Sequence, residues 1–122
     1  MLKLKKFLLV NNIKQIYISK NINQSNKILL DDFNLNEYIN TDYNTLFFGI
    51  YNIEDYKKIY YHKGKKWLLF EGNEMNINSN YHNKLLEYTT DIKINGFIYF
   101  YSKINDKIKK LNINPLLINP YD

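Results

Sequence analysis

Cysteine is absent from this chain, so neither a disulfide frame nor a thiolate metal site can exist in it. Arginine is absent too, and all seventeen basic residues are lysines. Bidentate contacts to guanine or phosphate favour arginine, which counts against specific DNA reading. Lysine alone can still hold phosphates without sequence preference. The two histidines, His62 and His82, stand twenty residues apart and form no zinc signature, so no metal site is expected. No apolar run approaches the roughly 18–20 residues that cross a bilayer. Met1 to Val10 superficially resembles a signal peptide, but its apolar part is about four residues, short of the 7–15 of such a core. A soluble, cytoplasmic protein without a membrane span is the expectation. Four glycines leave little room for a phosphate-cradling loop, and GxGxxG, Walker A, HExxH, GxSxG and EF-hand spacings are all missing. No cofactor is expected.

What is present is lopsided. Among 122 residues there are twenty Asn, seventeen Lys, seventeen Ile and twelve Tyr, and no Ala. Asn, Lys, Ile and Tyr have A/T-only codons, so an AT-rich genome accounts for much of the bias. The net charge of +5 is discounted accordingly. Its distribution is more informative. Residues 1–30 hold six lysines and no acid, whereas residues 31–122 hold eleven lysines and twelve acids, a balance of −1. Lys3, Lys5, Lys6, Lys14 and Lys20 are therefore the candidates for a nucleic-acid or polyanion contact. The plainer alternative is that they solvate strand faces or guard an edge strand.

At this length the chain is one domain, burying roughly two-thirds of its unfolded surface. Its organising stretch is 45–74. Leu46-Phe47-Phe48, closed by Gly49, and Trp67-Leu68-Leu69-Phe70 are apolar runs without alternation, the pattern of strands buried on both faces of a parallel sheet. Between them Ile53, Tyr56, Ile59 and Tyr60 fall at helical spacing, Asn52 suits an N-cap with Asp55 three residues on, and His62-Lys63-Gly64 is a helix stop. The economical reading is a βαβ unit.

Upstream, 5–10 and 13–19 read as two strands of an N-terminal hairpin turned at Asn11-Asn12, the second half-exposed because Ile16 and Ile18 alternate with Gln15, Tyr17 and Ser19. A short strand at 27–30 and a turn or two of helix at 34–40, with Leu35, Tyr38 and Ile39 inward, follow. Downstream, a helix through Tyr88 capped by Ser79 or Asn80, a strand at 93–101, a helix at 103–111 capped by Ser102 and a last strand at 115–118 complete a βαβαβαβ core over 45–119. The fold class expected is α/β: a single Rossmann-like domain, 1–122, with a mostly parallel sheet and short crossover helices.

In such sheets ligands sit beyond the carboxyl ends of the strands. That rule selects Gly49, Tyr51, Asn52, Gly72, Asn73 and Ser102 as ligand-binding candidates. Gly49 and Gly72 would let the backbone approach a ligand closely, although glycines also simply end strands. Glu71 and Glu74 could take sugar hydroxyls or act as a base, and His62 is the other catalytic candidate. Helix starts gather carboxylates and helix ends gather cations in any case. Twelve tyrosines and exposed hairpin edges also make a homodimer an expected possibility.

Residues 31–39 (DDFNLNEYI), Leu46 to Tyr51, Glu54-Asp55-Tyr56, His62-Lys63-Gly64 and a strand ending in Gly72 resemble the N-terminal Rossmann-like half of glycosyltransferase-like proteins of AT-rich giant DNA viruses. The resemblance covers roughly residues 27–119. In that family the last of these strands ends in Trp-Gly-Gly followed by Ser/Thr/Asn-Asp, whereas Phe70-Glu71-Gly72-Asn73-Glu74 stands here. The resemblance implies a GT-B-like arrangement, in which the N-terminal domain holds the acceptor and a second domain holds the nucleotide-sugar. The expectation is a stand-alone, glycosyltransferase-like module that binds a glycan or nucleotide-sugar, pairs with a second glycosyltransferase domain or itself, and does not transfer sugar unaided. It would sit in the host cytoplasm or virion. The alternative is a small basic viral protein that binds nucleic acid non-specifically or serves as a virion component.

Overall fold

The structure, a computed structural model, describes residues 2–22, 33–70, 93–99 and 116–117. In chain order these form helix α1 (Leu2–Val10), strands β1 (Gln15–Ile18), β2 (Asn36–Glu37) and β3 (Thr45–Phe48), helix α2 (Ile53–Tyr61), and strands β4 (Lys66–Phe70), β5 (Gly96–Tyr99) and β6 (Leu116–Leu117). The strands make one sheet of order β2-β1-β3-β4-β5-β6, and every ladder in it is parallel. The βαβ unit at 45–70 is therefore present as expected, with Leu46 opposite Trp67 and Phe47 opposite Leu68.

Both faces of the sheet are covered, which explains the unbroken apolar runs. On one face Ile16, Leu46, Phe48, Trp67, Leu69 and Ile98 pack with Leu4, Leu8 and Ile13, with Phe7 partly buried against them. On the other, Phe47 and Leu68 lie under α2, whose Asp55 and Ile59 are buried. Fully burying a side chain of this size is worth roughly 1.5–3 kcal/mol, and Leu46, Phe47, Phe48, Leu68 and Leu69 are all inaccessible. The central pair carries the fold.

The N-terminal hairpin does not form. Residues 2–10 are a helix because Leu4, Phe7 and Leu8, at i, i+3 and i+4, make one stripe that the sheet can cover, whereas a strand would split Phe7 from Leu8. Asn12 does take a positive φ of 54°, but as a helix terminator. The Ile13 amide donates to Leu8 O at 3.0 Å and the Asn12 amide to Leu9 O at 3.2 Å, the paired bonds of a Schellman motif. Ile13 and Leu8 then share the core, completing that motif's usual apolar contact.

Two further expectations are corrected. Residues 34–40 are not helical: Asn34 has φ 53°, Asn36 donates to Lys14 O at 3.4 Å, and β2 forms the sheet edge. Ile39 is 81% exposed there, not inward. The second strand is not half-exposed either, since Gln15 and Ser19 are buried beneath the α2 side. Gln15 satisfies itself by donating to Asn40 O (2.6 Å) and Thr45 Oγ1 (2.8 Å), while its Oε1 accepts the Ile39 and Asn40 amides. That amide clamp holds the edge segment extended. Strands β5 and β6 sit within their expected stretches; the strand at 27–30 and the helices at 80–88 and 103–111 lie outside the described residues.

Candidate functional site

The order of strands reverses at β1. From β1 the chain passes to β2 on one side, then returns to β3 on the other, and β4 to β6 continue outward from there. A crevice beyond the carboxyl ends of β1 and β3 is the general location for ligands in such a sheet. Ser19, Lys20 and Asn21 leave β1 there; Gly49, Tyr51 and Asn52 leave β3 there.

Gly49 takes φ +87°, and a β-carbon on it would lie 2.7 Å from Ile22 Cδ1 and 2.8 Å from Tyr51 Cε2. The turn from β3 toward α2 is therefore both left-handed and tightly enclosed, which only glycine tolerates without strain. Its amide is already used, donating to Leu69 O at 3.0 Å. Asn52 caps α2, its Oδ1 accepting the Asp55 amide at 2.9 Å, and its Nδ2 donates to Asn21 Oδ1 at 2.9 Å. Lys20 and Glu54 make a second, exposed tie at 3.6 Å, from the loop after β1 to the first turn of α2.

Under these surface ties lies Asp55. Its carboxylate, fully buried, accepts from Tyr17 OH (2.8 Å), Ser19 Oγ (2.7 Å) and the Tyr51 amide (2.9 Å). One acid thus fixes the ends of β1, the β3–α2 turn and the first turn of α2 together. Burial, followed by the bond and proximity to Asp55, pushes the Tyr17 phenol well above its ordinary value of 10.0. Tyr17 stays a donor at any physiological pH.

A lateral groove of about 450 Å³ opens beside this cluster, between α2 and the segment that carries β2. Tyr17, Tyr38 and Tyr61 wall it, with Thr41, Glu54, Lys57 and Lys58 at its margins. Tyr17 and Tyr38 meet edge to face (6.0 Å, 85°), and Lys58 Nζ stands 5.5 Å from the Tyr38 ring centre, within cation–π range.

Behind the groove Tyr38 bonds His62. His62 Nε2 lies 2.7 Å from Tyr43 O and can only donate to it, so Nδ1 accepts from Tyr38 OH at 2.8 Å. Desolvation holds this imidazole below its ordinary value, outweighing the opposing bond to Tyr43 O. Lys66, also buried, donates to Ile59 O (2.8 Å) and His62 O (2.9 Å), capping the C-terminus of α2; burial lowers its pKa.

Of the residues singled out in the sequence, Gly49, Tyr51 and Asn52 come together at the carboxyl edge. His62 lies apart at the far end of α2, with both ring nitrogens engaged. Glu71, Gly72, Asn73, Glu74 and Ser102 lie outside the described residues. Lys3, Lys5 and Lys6 are exposed on α1, spread over roughly 160° of its circumference at 100° per residue, and so form no single stripe. Lys14 is exposed just before β1. Asp55, Ser19, Gln15 and Lys66 were not among the expected site residues. Asp55 reads in sequence as an acid in the first turn of a helix, and only its distance partners reveal its other use.

Among the described residues no helix is long and apolar enough to cross a membrane, and no group of three or more His, Cys, Asp or Glu residues could hold a metal ion. No protein-family model matches the chain, and no curated protein or solved structure matches it significantly.

Proposed function

We propose that this chain forms a Rossmann-like binding module for a glycan or nucleotide-sugar-related ligand, akin to the acceptor half of GT-B-like glycosyltransferases, and that the module does not transfer sugar by itself. The observation that carries the reading is the reversal of strand order at β1, since sheets of this kind take their ligands beyond the carboxyl ends of the strands at such a reversal. The chemistry at that edge supports it. The Asn21 and Asn52 side-chain amides stand at that edge, bonded to one another, and amide groups suit a hydroxyl-rich ligand. Asp55 and His62 are committed to internal hydrogen bonds and Glu54 is paired with Lys20, which favours binding over catalysis. Any donor site would then lie outside this module. The test is calorimetric titration of the whole chain with UDP-sugars, GDP-sugars and short neutral and acidic glycans, paired with amide NMR. Binding should move the amides of Ser19, Asn21, Gly49, Tyr51 or Asn52. Silence across the whole panel would overturn the reading.

A further inference from the structure

The lateral groove has features the carboxyl edge does not need. Its walls are phenol rings, and its margin carries two lysines against one acid. Glu54 is already paired with Lys20 at 3.6 Å, while Lys57 has no acidic partner among the described residues and Lys58 faces the Tyr38 ring. The Thr41 and Tyr61 hydroxyls likewise have no hydrogen-bond partner among the described residues, and Tyr61 is 68% exposed. The volume, about 450 Å³, lies within the roughly 300–1,000 Å³ of small-ligand sites.

These features restrict the ligand. Two lysines against one carboxylate that is already paired outside the groove leave an excess of positive charge, which favours an anion. Free hydroxyls at the margin call for a partner rich in donors and acceptors. The aromatic wall is stepped, because Tyr17 and Tyr38 stand at 85° to one another. A stepped wall is no platform for a flat base, which stacks on a parallel ring. It does suit a puckered sugar ring, which offers C–H faces to the phenols and hydroxyls to the rim.

From this juxtaposition we propose that the lateral groove binds an acidic pyranose, a uronate unit of a glycan, with its carboxylate at Lys57 and its ring against Tyr61 and the Tyr17–Tyr38 step. This rests on the glycan-binding reading above and names both the substrate class and a place for it distinct from the carboxyl edge. The neighbouring Asp55 network would fix that wall, since Tyr17 OH is held by Asp55 at 2.8 Å.

The experiment compares a hyaluronan tetrasaccharide and a tetragalacturonate with neutral cellotetraose and chitotetraose, using the whole chain and the variants Lys57→Gln and Tyr61→Ala. Both positions are exposed, so neither substitution threatens folding. A uronate should bind at least tenfold more tightly than its neutral counterpart, with affinity falling as salt rises. Lys57→Gln should weaken it about tenfold, which is about 1.4 kcal/mol. Tyr61→Ala should weaken neutral and acidic sugars alike. Equal affinity for the neutral sugars, or indifference to Lys57→Gln, would overturn the proposal while leaving glycan binding intact. So would a uronate that binds but perturbs only the amides of the carboxyl edge. Failure of every saccharide and nucleotide-sugar would sink both readings together.

Discussion

Asp55 is a carboxylate without solvent contact on which three donors from two segments converge, at 2.7, 2.8 and 2.9 Å. Removing it orphans all three, and each stranded donor costs roughly 1–3 kcal/mol. Asp55→Ala should therefore lower the unfolding free energy by at least about 3 kcal/mol in urea titration, and Asp55→Asn by less, since one amide oxygen can still accept. An Asp55→Ala protein as stable as the parent would refute the network. His62 makes a different prediction, about pH. Burial holds its folded pKa below the ordinary 6.5, so between those values the unfolded chain binds a proton that the folded one refuses. Its contribution is complete above pH 6.5 and declines as the pH falls through the folded value. Urea midpoints should drop from pH 7 to about pH 5, and His62→Gln should flatten that drop. Neither role was legible in the sequence, where Asp55 looks like a helix-start acid and His62 like a helix-end cation. Burial decides both, and burial depends on what the rest of the chain lays over them.

Helix α2 is held at both ends by side chains: Asn52 Oδ1 on the Asp55 amide, and Lys66 Nζ on the carbonyls of Ile59 and His62. Nine residues are too few for a helix to persist alone in water, so these anchors and the buried Ile59 matter. Asn52→Ala should cost about 1 kcal/mol in thermal unfolding, and Asn52→Asp should restore most of it, because the aspartate oxygen caps equally well. Loss in both variants alike would mean that the bond to Asn21, not the cap, is what counts. The N-cap could be read from the sequence because it is a local signal. The cap by Lys66 could not, since it needs β4 to return beneath α2. Helix α1 illustrates the opposite hazard. Asn11-Asn12 tolerates positive φ wherever it is placed, and that tolerance serves a hairpin turn or a Schellman terminator equally. Only the packing of Leu4 and Leu8 on the sheet chooses between them.

In the molecule as a whole, the doubly covered parallel pair β3–β4 was legible because burial on both faces erases polar alternation, a signature that survives biased composition. The edge was not. Strand β2 is two residues long, is followed by a segment that the Gln15 amide pins at Ile39 and Asn40, and carries no periodicity to read. The groove shares that fate, for Tyr17, Tyr38 and Tyr61 come from three segments that only the sheet order brings side by side. A last consequence concerns Trp67, the one tryptophan of the chain. Its ring meets Phe7 of α1 edge-on (6.5 Å, 89°) and lies over Gly96, where a β-carbon would come within 2.9 Å of its Cδ1. The indole is thus wedged in the seam between α1 and the sheet. Leu4→Ala, which should cost about 2–5 kcal/mol, is expected to red-shift its fluorescence as water enters that seam; an unmoved emission maximum would deny α1 its seat. The protein carries its own optical gauge of whether the N-terminal helix is docked.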